Sequence, residues 1–327
     1  MTVLVTGGAG YIGSHMAHAL IDAGERVVVI DDLSTGSREA VPAAAELVVG
    51  DFGDEALVSD LLRRHGVRSV IHFAAKIVVP ESVSNPLGYY LNNTAKARSL
   101  LACAVAAGVE HFIFSSTAAV YGEPDASPVT EEANPKPISP YGRSKLIVEW
   151  MLEDVARAHP LRFVVLRYFN VAGADPHGRT GQSTPDATHL IKVAVQTALG
   201  RRPGMEVFGS DYPTPDGSCL RDYIHVSDLA QAHMDALGHL RGGGDSLVCN
   251  VGYGRGFSVL DVIGVVKRVS GVDFPVRMSG RRPGDPASIV ASNARIKGCL
   301  GWTPRYEDLD VIVRHALDWE RRLHNRG

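Results

Sequence analysis

Tyr141 and Lys145 stand four residues apart in the run Ser139-Pro140-Tyr141-Gly142-Arg143-Ser144-Lys145. Ser139 suits an N-cap and Pro140 the first helical position, so the run predicts a helix that carries the phenol and the ammonium at i and i+4 on one face. A phenol with a pKa of about 10 is a sluggish base at neutral pH. A nearby ammonium and a first-turn helix position both favour the phenolate, and each unit of lowering is worth about 1.4 kcal/mol. Thr117 closes Ser115-Ser116-Thr117 at the end of an apolar run, where its hydroxyl can donate or accept at a reacting alcohol. Taken singly, Thr117 reads equally well as an ordinary strand-end residue. Together the three groups form a set for taking a proton from a carbinol and returning it.

What such a set needs beside it is an acceptor for the electrons, and the first residues of the chain provide for one. Thr6-Gly7-Gly8-Ala9-Gly10-Tyr11-Ile12-Gly13-Ser14-His15 follows a β-branched run and can be read as G-x-x-G-x-x-G or G-x-G-x-x-G. Either way the glycines allow a tight turn and close approach to a pyrophosphate, and the helix that follows offers N–H donors at its N-terminus. Asp31 closes the next apolar run, where a carboxylate can bind the ribose hydroxyls of a dinucleotide. Its charge would repel a 2′-phosphate and Asp32, Leu33 and Ser34 supply no arginine, so NAD is expected over NADP, with an oxidised nicotinamide as a further influence favouring the phenolate. The alternative for Asp31 is a turn carboxylate, whose replacement by a neutral residue would leave NAD affinity unchanged.

The elements that position these residues follow from hydrophobic patterning. Apolar runs at 3–6, 26–31, 47–49, 69–73, 111–115 and 163–168 alternate with helical stretches, predicting an α/β fold with a Rossmann-type doubly wound parallel sheet. In such sheets the carboxyl ends of the strands line the ligand crevice, which brings Thr117 to it. Residues 1–170 are expected to form the NAD-binding domain and 171–327 a smaller C-terminal substrate-binding domain. Turn-rich stretches at 172–185, 201–218 and 241–255 mark the second part. Segment 222–240 returns to a strand-then-helix pattern with Ser227 as N-cap, so 220–241 is expected to rejoin the first domain. No internal repeat interrupts this plan.

The chain has 327 residues, 33 Lys plus Arg against 36 Asp plus Glu, and a net charge of −3, which leaves no basic stripe for nucleic acid. The longest nearly apolar run, 100–109, is too short to span a bilayer, and the first basic residue is Arg26, so a cytoplasmic protein without membrane contact is expected. Cys103, Cys219, Cys249 and Cys299 have no repeated spacing and read as reduced thiols, and the 13 histidines, including His15 and His18, show no metal spacing, so no metal is expected.

Five segments together resemble the extended short-chain dehydrogenase/reductases, and among them the branch that inverts C4 of UDP-sugars. They are Thr6 to Gly13, Ser115-Ser116-Thr117-Ala118-Ala119-Val120-Tyr121-Gly122, Tyr141-x-x-x-Lys145, Arg167-Tyr168-Phe169-Asn170 and Arg221-Asp222-Tyr223-Ile224-His225-Val226. The resemblance covers nearly the whole chain. It implies an NAD-dependent isomerase that interconverts UDP-glucose and UDP-galactose through a transient 4-keto sugar, with Thr117, Tyr141 and Lys145 catalytic. It places cofactor contacts at Gly7, Gly10, Tyr11, Ile12, Gly13, Asp31, Asp51, Phe52, Phe73, Ala74, Asn92, Ser115, Tyr141, Lys145, Tyr168 and Phe169. Substrate contacts fall at Thr117, Asn170, His189, Leu190, Phe208, Arg221, Tyr223, Arg282 and Asp285, with Arg221 and Arg282 toward the UDP phosphates and Asp285 toward the ribose. A surface ion pair is the plainer explanation for either arginine alone. Helical stretches 85–107 and 141–159 are expected to pair across a two-fold axis in a homodimer.

Two positions depart from the family pattern. The lysine of this branch falls one residue after Lys76, at Ile77, so Lys76 is expected to be a solvated loop charge. Ile289 stands where some members carry a tyrosine around the sugar C2 substituent, which extends the expected substrates to UDP-N-acetylhexosamines. The neighbouring activities are a UDP-pentose 4-epimerase, a nucleotide-sugar 4,6-dehydratase and a 4-keto reductase. The dehydratase needs an Asp-Glu pair after the threonine, where this chain has Ala118 and Ala119. A dinucleotide-sensing regulator without chemistry would be expected to lack the Tyr-Lys pair.

Overall fold

The structure, a computed structural model, describes residues 1–184, 187–282 and 285–325. Pro185, the last residue of the first turn-rich stretch, lies outside them. Its strands are β1 (Thr2–Thr6), β2 (Arg26–Asp31), β3 (Glu46–Val49), β4 (Ser69–His72), β5 (His111–Thr117), β6 (Arg162–Tyr168), β7 (Asn170–Ala172), β8 (Met205–Phe208), β9 (Leu220–His225), β10 (Leu247–Val251), β11 (Gly256–Ser258), β12 (Val276–Ser279) and β13 (Ser288–Ile289). Seven of these form one parallel sheet in the order β10-β6-β5-β4-β1-β2-β3, so the order reverses between β1 and β4 and opens a crevice at their carboxyl ends. Around β9 a smaller mixed sheet gathers β11, β13 and β7, and β12 pairs with β8.

Both faces of the large sheet are covered, which is why its strands read as continuous apolar runs. Alternate residues go to opposite sides: Val3, Val5, Ile71 and Ile113 join one core, while Leu4, Val70, Phe112 and Phe114 join the other. The first core is covered by α1 (Tyr11–Asp22) and continues into the C-terminal part. The second lies under α2 (Glu55–Arg64), α5 (Lys96–Ala106) and α6 (Pro140–Ala158), while the short helices α3 (Val79–Ser84) and α4 (Pro86–Tyr89) pack against α6. The remaining helices are α7 (Leu190–Ala198), α8 (Val226–Arg241), α9 (Val259–Ser270), α10 (Ala294–Leu300) and α11 (Leu309–His324). No helix among the described residues is long and apolar enough to cross a membrane.

Three sequence expectations are corrected. Stretch 241–255 is not turn alone, because Leu247–Val251 forms the outer strand β10, in register with Val164 to Tyr168. Glycines at 242–244 and 252 disguise it, and the pairing comes from distant β6. The N-cap of α8 is His225, whose Nδ1 accepts from the backbone N–H of Ser227 at 3.0 Å, so the cap sits two residues before the serine. The helical stretch 85–107 is divided by a wide π-helical turn at Tyr90–Ala95. There Asn93 is buried and fastened to both Lys76 backbone groups, at 2.8 and 2.9 Å, and to Ser144 Oγ at 3.1 Å. Such turns recur where a side chain is needed at a site.

One buried ion pair ties α6 to the sheet. Arg167 of β6 donates from Nε and Nη2 to the Glu149 carboxylate, and from Nη1 to the Tyr121 hydroxyl at 3.0 Å. Tyr121 passes the chain on to Asn250 of β10 at 2.7 Å, and Ser116 also donates to Glu149. An Arg167→Met substitution leaves Glu149 buried without its partner and is expected to cost about 3–5 kcal/mol in urea unfolding. The double variant with Glu149→Leu should regain more than half of that loss; equal losses in both would show that the pair is not the source.

Candidate active site

At the carboxyl end of β1 the chain turns sharply into α1. Gly7 has φ +70°, and a Cβ there would lie 2.7 Å from the Ala74 nitrogen of the loop after β4. A Cβ on Gly13 would lie 2.1 Å from Gly7 O, so α1 can approach the turn only with glycine at that place. Gly10 is the N-cap, without a side-chain cap, and no acidic residue occupies the first turn of α1. Tyr11 and Ile12 follow it, half-buried, and the Tyr11 hydroxyl donates to Gly173 O at 2.7 Å. A helix start with free donors, no acid and a cradle that a Cβ would fill fits a pyrophosphate.

Asp31 closes β2 and is buried. Its Oδ2 accepts the Ala9 N–H at 2.9 Å and its Oδ1 the Leu33 N–H at 2.8 Å, with Leu33 in the left-handed region at φ 58°. Burial pushes its pKa up, and the two backbone donors work against that. Asp31 is therefore a turn carboxylate in this structure, pinning the glycine loop, and each oxygen keeps a further lone pair for a hydroxyl. Next along the rim, Asp51 pairs with Lys96 at 2.6 Å, Lys96 also reaches Asn92, and the Phe52 ring lies tilted against His72 with centroids 5.1 Å apart. Phe73 and Ala74 form the half-buried turn after β4, Phe73 donating its N–H to Thr6 O.

The proton set assembles where α6 begins over the end of β5. Ser139 Oγ accepts the Gly142 N–H at 3.1 Å as the N-cap, and a Cβ on Gly142 would lie 2.6 Å from Ala119 O, so glycine lets the helix start press against the turn after Thr117. Thr117 and Tyr141 are buried at 8% and 6% exposure, and the Thr117 hydroxyl, which accepts the Ala119 N–H at 3.1 Å, acts on the phenol to favour its ionised form. Lys145 is 2% exposed; its Nζ donates to Ser115 O at 2.8 Å and lies 4.8 Å from the centre of the Phe114 ring. Tyr168, half-buried, is in register with Thr117 across the β5–β6 ladder, and Phe169 is buried beside Ala118.

The electrostatics correct one sequence expectation. Burial pushes Tyr141 up to about 12, opposed by the Thr117 hydroxyl, and burial pulls Lys145 down to about 7, opposed by the Glu149 charge one turn on. The ammonium is turned to Ser115 O, so the protein alone holds a protonated phenol. Activation has to come from what binds beside it.

Of the C-terminal residues, Asn170, Arg221, Tyr223 and Asp285 meet at β9. Asn170 of β7 pairs with Tyr223, which is buried. Arg221 donates to Leu220 O and Pro286 O at 2.9 and 2.8 Å, and its Nη2 lies 3.5 Å from Asp285. Arg282 is exposed and lies over the Phe208 ring, 3.6 Å from its centre. His189 is the N-cap of α7 and Leu190 its first residue. Lys76 is exposed and paired with Glu81 at 3.5 Å, and Ile289 is buried with Ala118, Leu146 and Phe169. Sequence reading missed Asn93, Glu149 and His233, whose partners are distant in the chain; Glu149, set between Val148 and Trp150, left the clearest signal, a charge inside an apolar helical stretch. Among the described residues no group of three or more His, Cys, Asp or Glu is placed to hold a metal.

Residues 3–252 match the model of the NAD dependent epimerase/dehydratase family. The chain is 60% identical to UDP-glucose 4-epimerase of Azospirillum brasilense, over 98% of its own length and 92% of that protein's. It matches UDP-glucose 4-epimerase from Brucella ovis in complex with NAD at a TM-score of 0.94, with 46% identity over 97% of each chain. UDP-glucose 4-epimerase from Bifidobacterium longum in complex with NAD+ and UDP matches at a TM-score of 0.94, with 36% identity over 100% of each chain.

The Lys145 environment carries a prediction about stability. A lysine lowered from 10.5 to about 7 on folding is charged in both states below pH 7, where its burial penalty is borne in full. Between about pH 7 and 10.5 the folded protein binds fewer protons than the unfolded chain, so stability rises with pH through this window. Lys145→Met removes the term: urea unfolding without cofactor should favour the variant over the parent by about 2–4 kcal/mol more at pH 6 than at pH 10. A difference that is flat with pH would refute the assignment.

Proposed function

The chain belongs to the NAD dependent epimerase/dehydratase family, and from that premise we propose that it interconverts UDP-glucose and UDP-galactose by inverting the sugar at C4. The observation that carries this reading is the buried Thr117–Tyr141–Lys145 set at the end of β5, facing the same crevice as the glycine loop. The glycine loop at the start of α1 would hold the pyrophosphate of NAD and Asp31 a ribose, with Asp51, Phe52 and Asn92 as further contacts. When bound, NAD would supply oxidation and reduction at the sugar carbon, and in its oxidised form a positive charge that favours the phenolate.

Tyr141 Oη takes the proton of the C4 hydroxyl while Thr117 Oγ1 holds the same oxygen, and Tyr141 returns that proton once the hexose has presented its other face. Lys145, held by Ser115 O, keeps a positive charge within the helix stripe that carries the phenol. The hexose must turn while the rest of the substrate stays fixed, so binding energy belongs on the UDP. Phe208, Arg221, Arg282 and Asp285, on elements separate from the proton set, are assigned that role, with Asn170, His189, Leu190 and Tyr223 lining the cleft. Ala118 and Ala119 after Thr117 offer no group to move a proton at C5 or C6, which speaks against a dehydratase. The aliphatic Ile289 supports acceptance of UDP-N-acetylhexosamines as well.

We place the chain in the cytoplasm and read it as a homodimer. Leu87 and Leu91 are 79% and 61% exposed on α4 and the π-helical turn, and Trp150 is 54% exposed on α6, a density of apolar groups that an isolated surface does not favour. Leu91→Arg with Trp150→Arg is expected to halve the mass seen in sedimentation, while the parent sediments as a dimer; a monomeric parent would remove the assignment.

The test of the activity needs no added reductant. Purified protein given UDP-galactose alone should form UDP-glucose, with deuterium placed at C4 retained in the product. Tyr141→Phe should lower turnover on the order of 10³-fold or more, within the range of acid–base catalysis. A strict need for added reductant, or loss of the label to solvent, would overturn the reading.

A further inference from the structure

Strands β8 and β12 end side by side: Phe208 is in register with Ser279, and Gly209 N–H donates to Ser279 O at 2.9 Å as the last rung. Beyond that rung one chain enters loop 209–218, which leads to β9 and Arg221, and the other leads to Arg281 and Arg282. Arg282 lies over the Phe208 ring, whereas Arg281 reaches across to the loop. Its Nε donates to Asp211 Oδ1 at 2.7 Å, its Nη2 donates to Asp211 O, and its guanidinium lies 4.2 Å from the centre of the Tyr212 ring. Tyr212 is buried, and its N–H donates to Gly217 O at 2.9 Å, which closes the loop on itself. Its ring covers Gly209, where a Cβ would lie 2.3 Å from Cε2; Gly209 has φ +88°, so the turn out of β8 and the close approach of the ring both need glycine. An exposed ion pair by itself contributes little, and Arg277 with Glu206, cross-strand neighbours on the same two strands, is such a pair. Arg281 differs because one planar group meets a carboxylate, a main-chain carbonyl and an aromatic face of a single loop.

We infer that Arg281, Asp211 and Tyr212 form a clamp that positions Phe208 and Arg282 for the nucleotide of the substrate. With the loop and the end of β12 tied together, the Phe208 ring and the Arg282 guanidinium keep their facing arrangement before substrate arrives. The same stretch leads on to Asp285, whose N–H donates to Arg282 O at 3.3 Å and whose carboxylate lies 3.5 Å from Arg221, so the clamp braces both sides of the nucleotide cleft. Arg281, Asp211 and Tyr212 are positioning residues, separate from the groups assigned to the substrate and to the proton. A site ordered in advance lowers the entropic cost of binding, so the clamp acts on affinity for UDP and leaves the chemistry at C4 unchanged. The inference rests on the 4-epimerase reading and on its assignment of Phe208 and Arg282 to UDP.

The experiment compares Arg281→Met, Asp211→Ala, Asp211→Asn, Tyr212→Phe, Tyr212→Leu and the Arg281→Met/Asp211→Ala double variant in the holoenzyme, with Arg277→Met as the control. Two quantities are read: kcat and KM with UDP-galactose, and the dissociation constant of UDP by calorimetry. Arg281→Met should raise KM about 10-fold with kcat within about 2-fold of the parent, the pattern of lost uniform binding, and should weaken UDP by the same factor. Asn at 211 keeps the oxygen that accepts from Nε and Phe at 212 keeps the ring, so both should stay within about 3-fold of the parent, whereas Asp211→Ala and Tyr212→Leu should not. The double variant should be no worse than Arg281→Met, because both losses act through one contact. Arg277→Met should leave KM and UDP affinity as they are. A fall in kcat that accounts for the effect, unchanged UDP affinity in Arg281→Met, or an equal effect of Arg277→Met would each refute the clamp. If Tyr212→Leu does not fold, the exposed Arg281 and Asp211 variants decide alone. A parent that binds UDP but does not turn over UDP-galactose would count against the epimerase reading while UDP affinity still tests the clamp; an active parent matched by Arg281→Met in both readouts would sink the clamp only.

Discussion

An ammonium that is 2% exposed has to be answered by the protein, and much of this site follows from how Lys145 is answered. One partner is a main-chain carbonyl, Ser115 O at 2.8 Å, which fixes the lysine to β5 whatever side chains surround it. The second is the Phe114 ring, and the third the more distant charge of Glu149, four residues on along α6. None of these neutralises the ammonium directly, so its proton is weakly held. A lysine poised in this way responds to any new charge placed in the crevice.

Tyr141, Lys145 and Glu149 recur every fourth residue and therefore form one stripe along α6 that faces the sheet. Each meets a different point of the sheet there: Thr117 at the end of β5, Ser115 two residues earlier on the same strand, and Arg167 on β6. The helix can come this close because Gly142 replaces a side chain where Ala119 O lies, and because Ser139 satisfies the first turn. Chemistry at one end of the stripe and a buried ion pair at the other are thus held by one rigid helix. An ion pair that costs desolvation is retained here as a fixed reference for the residues before it.

The parts of this design that were legible in the sequence are those whose cause is local. Runs such as 111–115 and 163–168 had to be apolar on both faces, the glycines of the first turn had no Cβ to spare, and Ser139-Pro140 announced a helix start. Asp31 stands at the end of β2 as its sequence position implied, and the turn-carboxylate role that the sequence left open is the one its two backbone donors, Ala9 and Leu33, display. The rest depends on partners brought in from afar. Leu247–Val251 is a strand because β6 offers it a ladder, the turn at Tyr90–Ala95 is widened where Asn93 reaches Lys76 and Ser144, and Lys145 turns to a carbonyl instead of the phenol. Periodicity contains no record of these contacts.

Strand β9 and helix α8 form one continuous unit that joins the two halves of the crevice. Arg221 and Tyr223 lie on the strand among the residues assigned to the nucleotide, and His225 at its end caps the helix. Two turns further along that helix His233 meets Ser115. A shift of β9 toward or away from bound diphosphate therefore cannot leave α8 in place, and α8 is packed against β5, β6 and α1. The proton site and the nucleotide site then share one mechanical support although no side chain spans them. For a reaction in which the sugar must turn while the nucleotide stays fixed, that arrangement keeps the moving part of the substrate free of the parts that hold Tyr141 to its task.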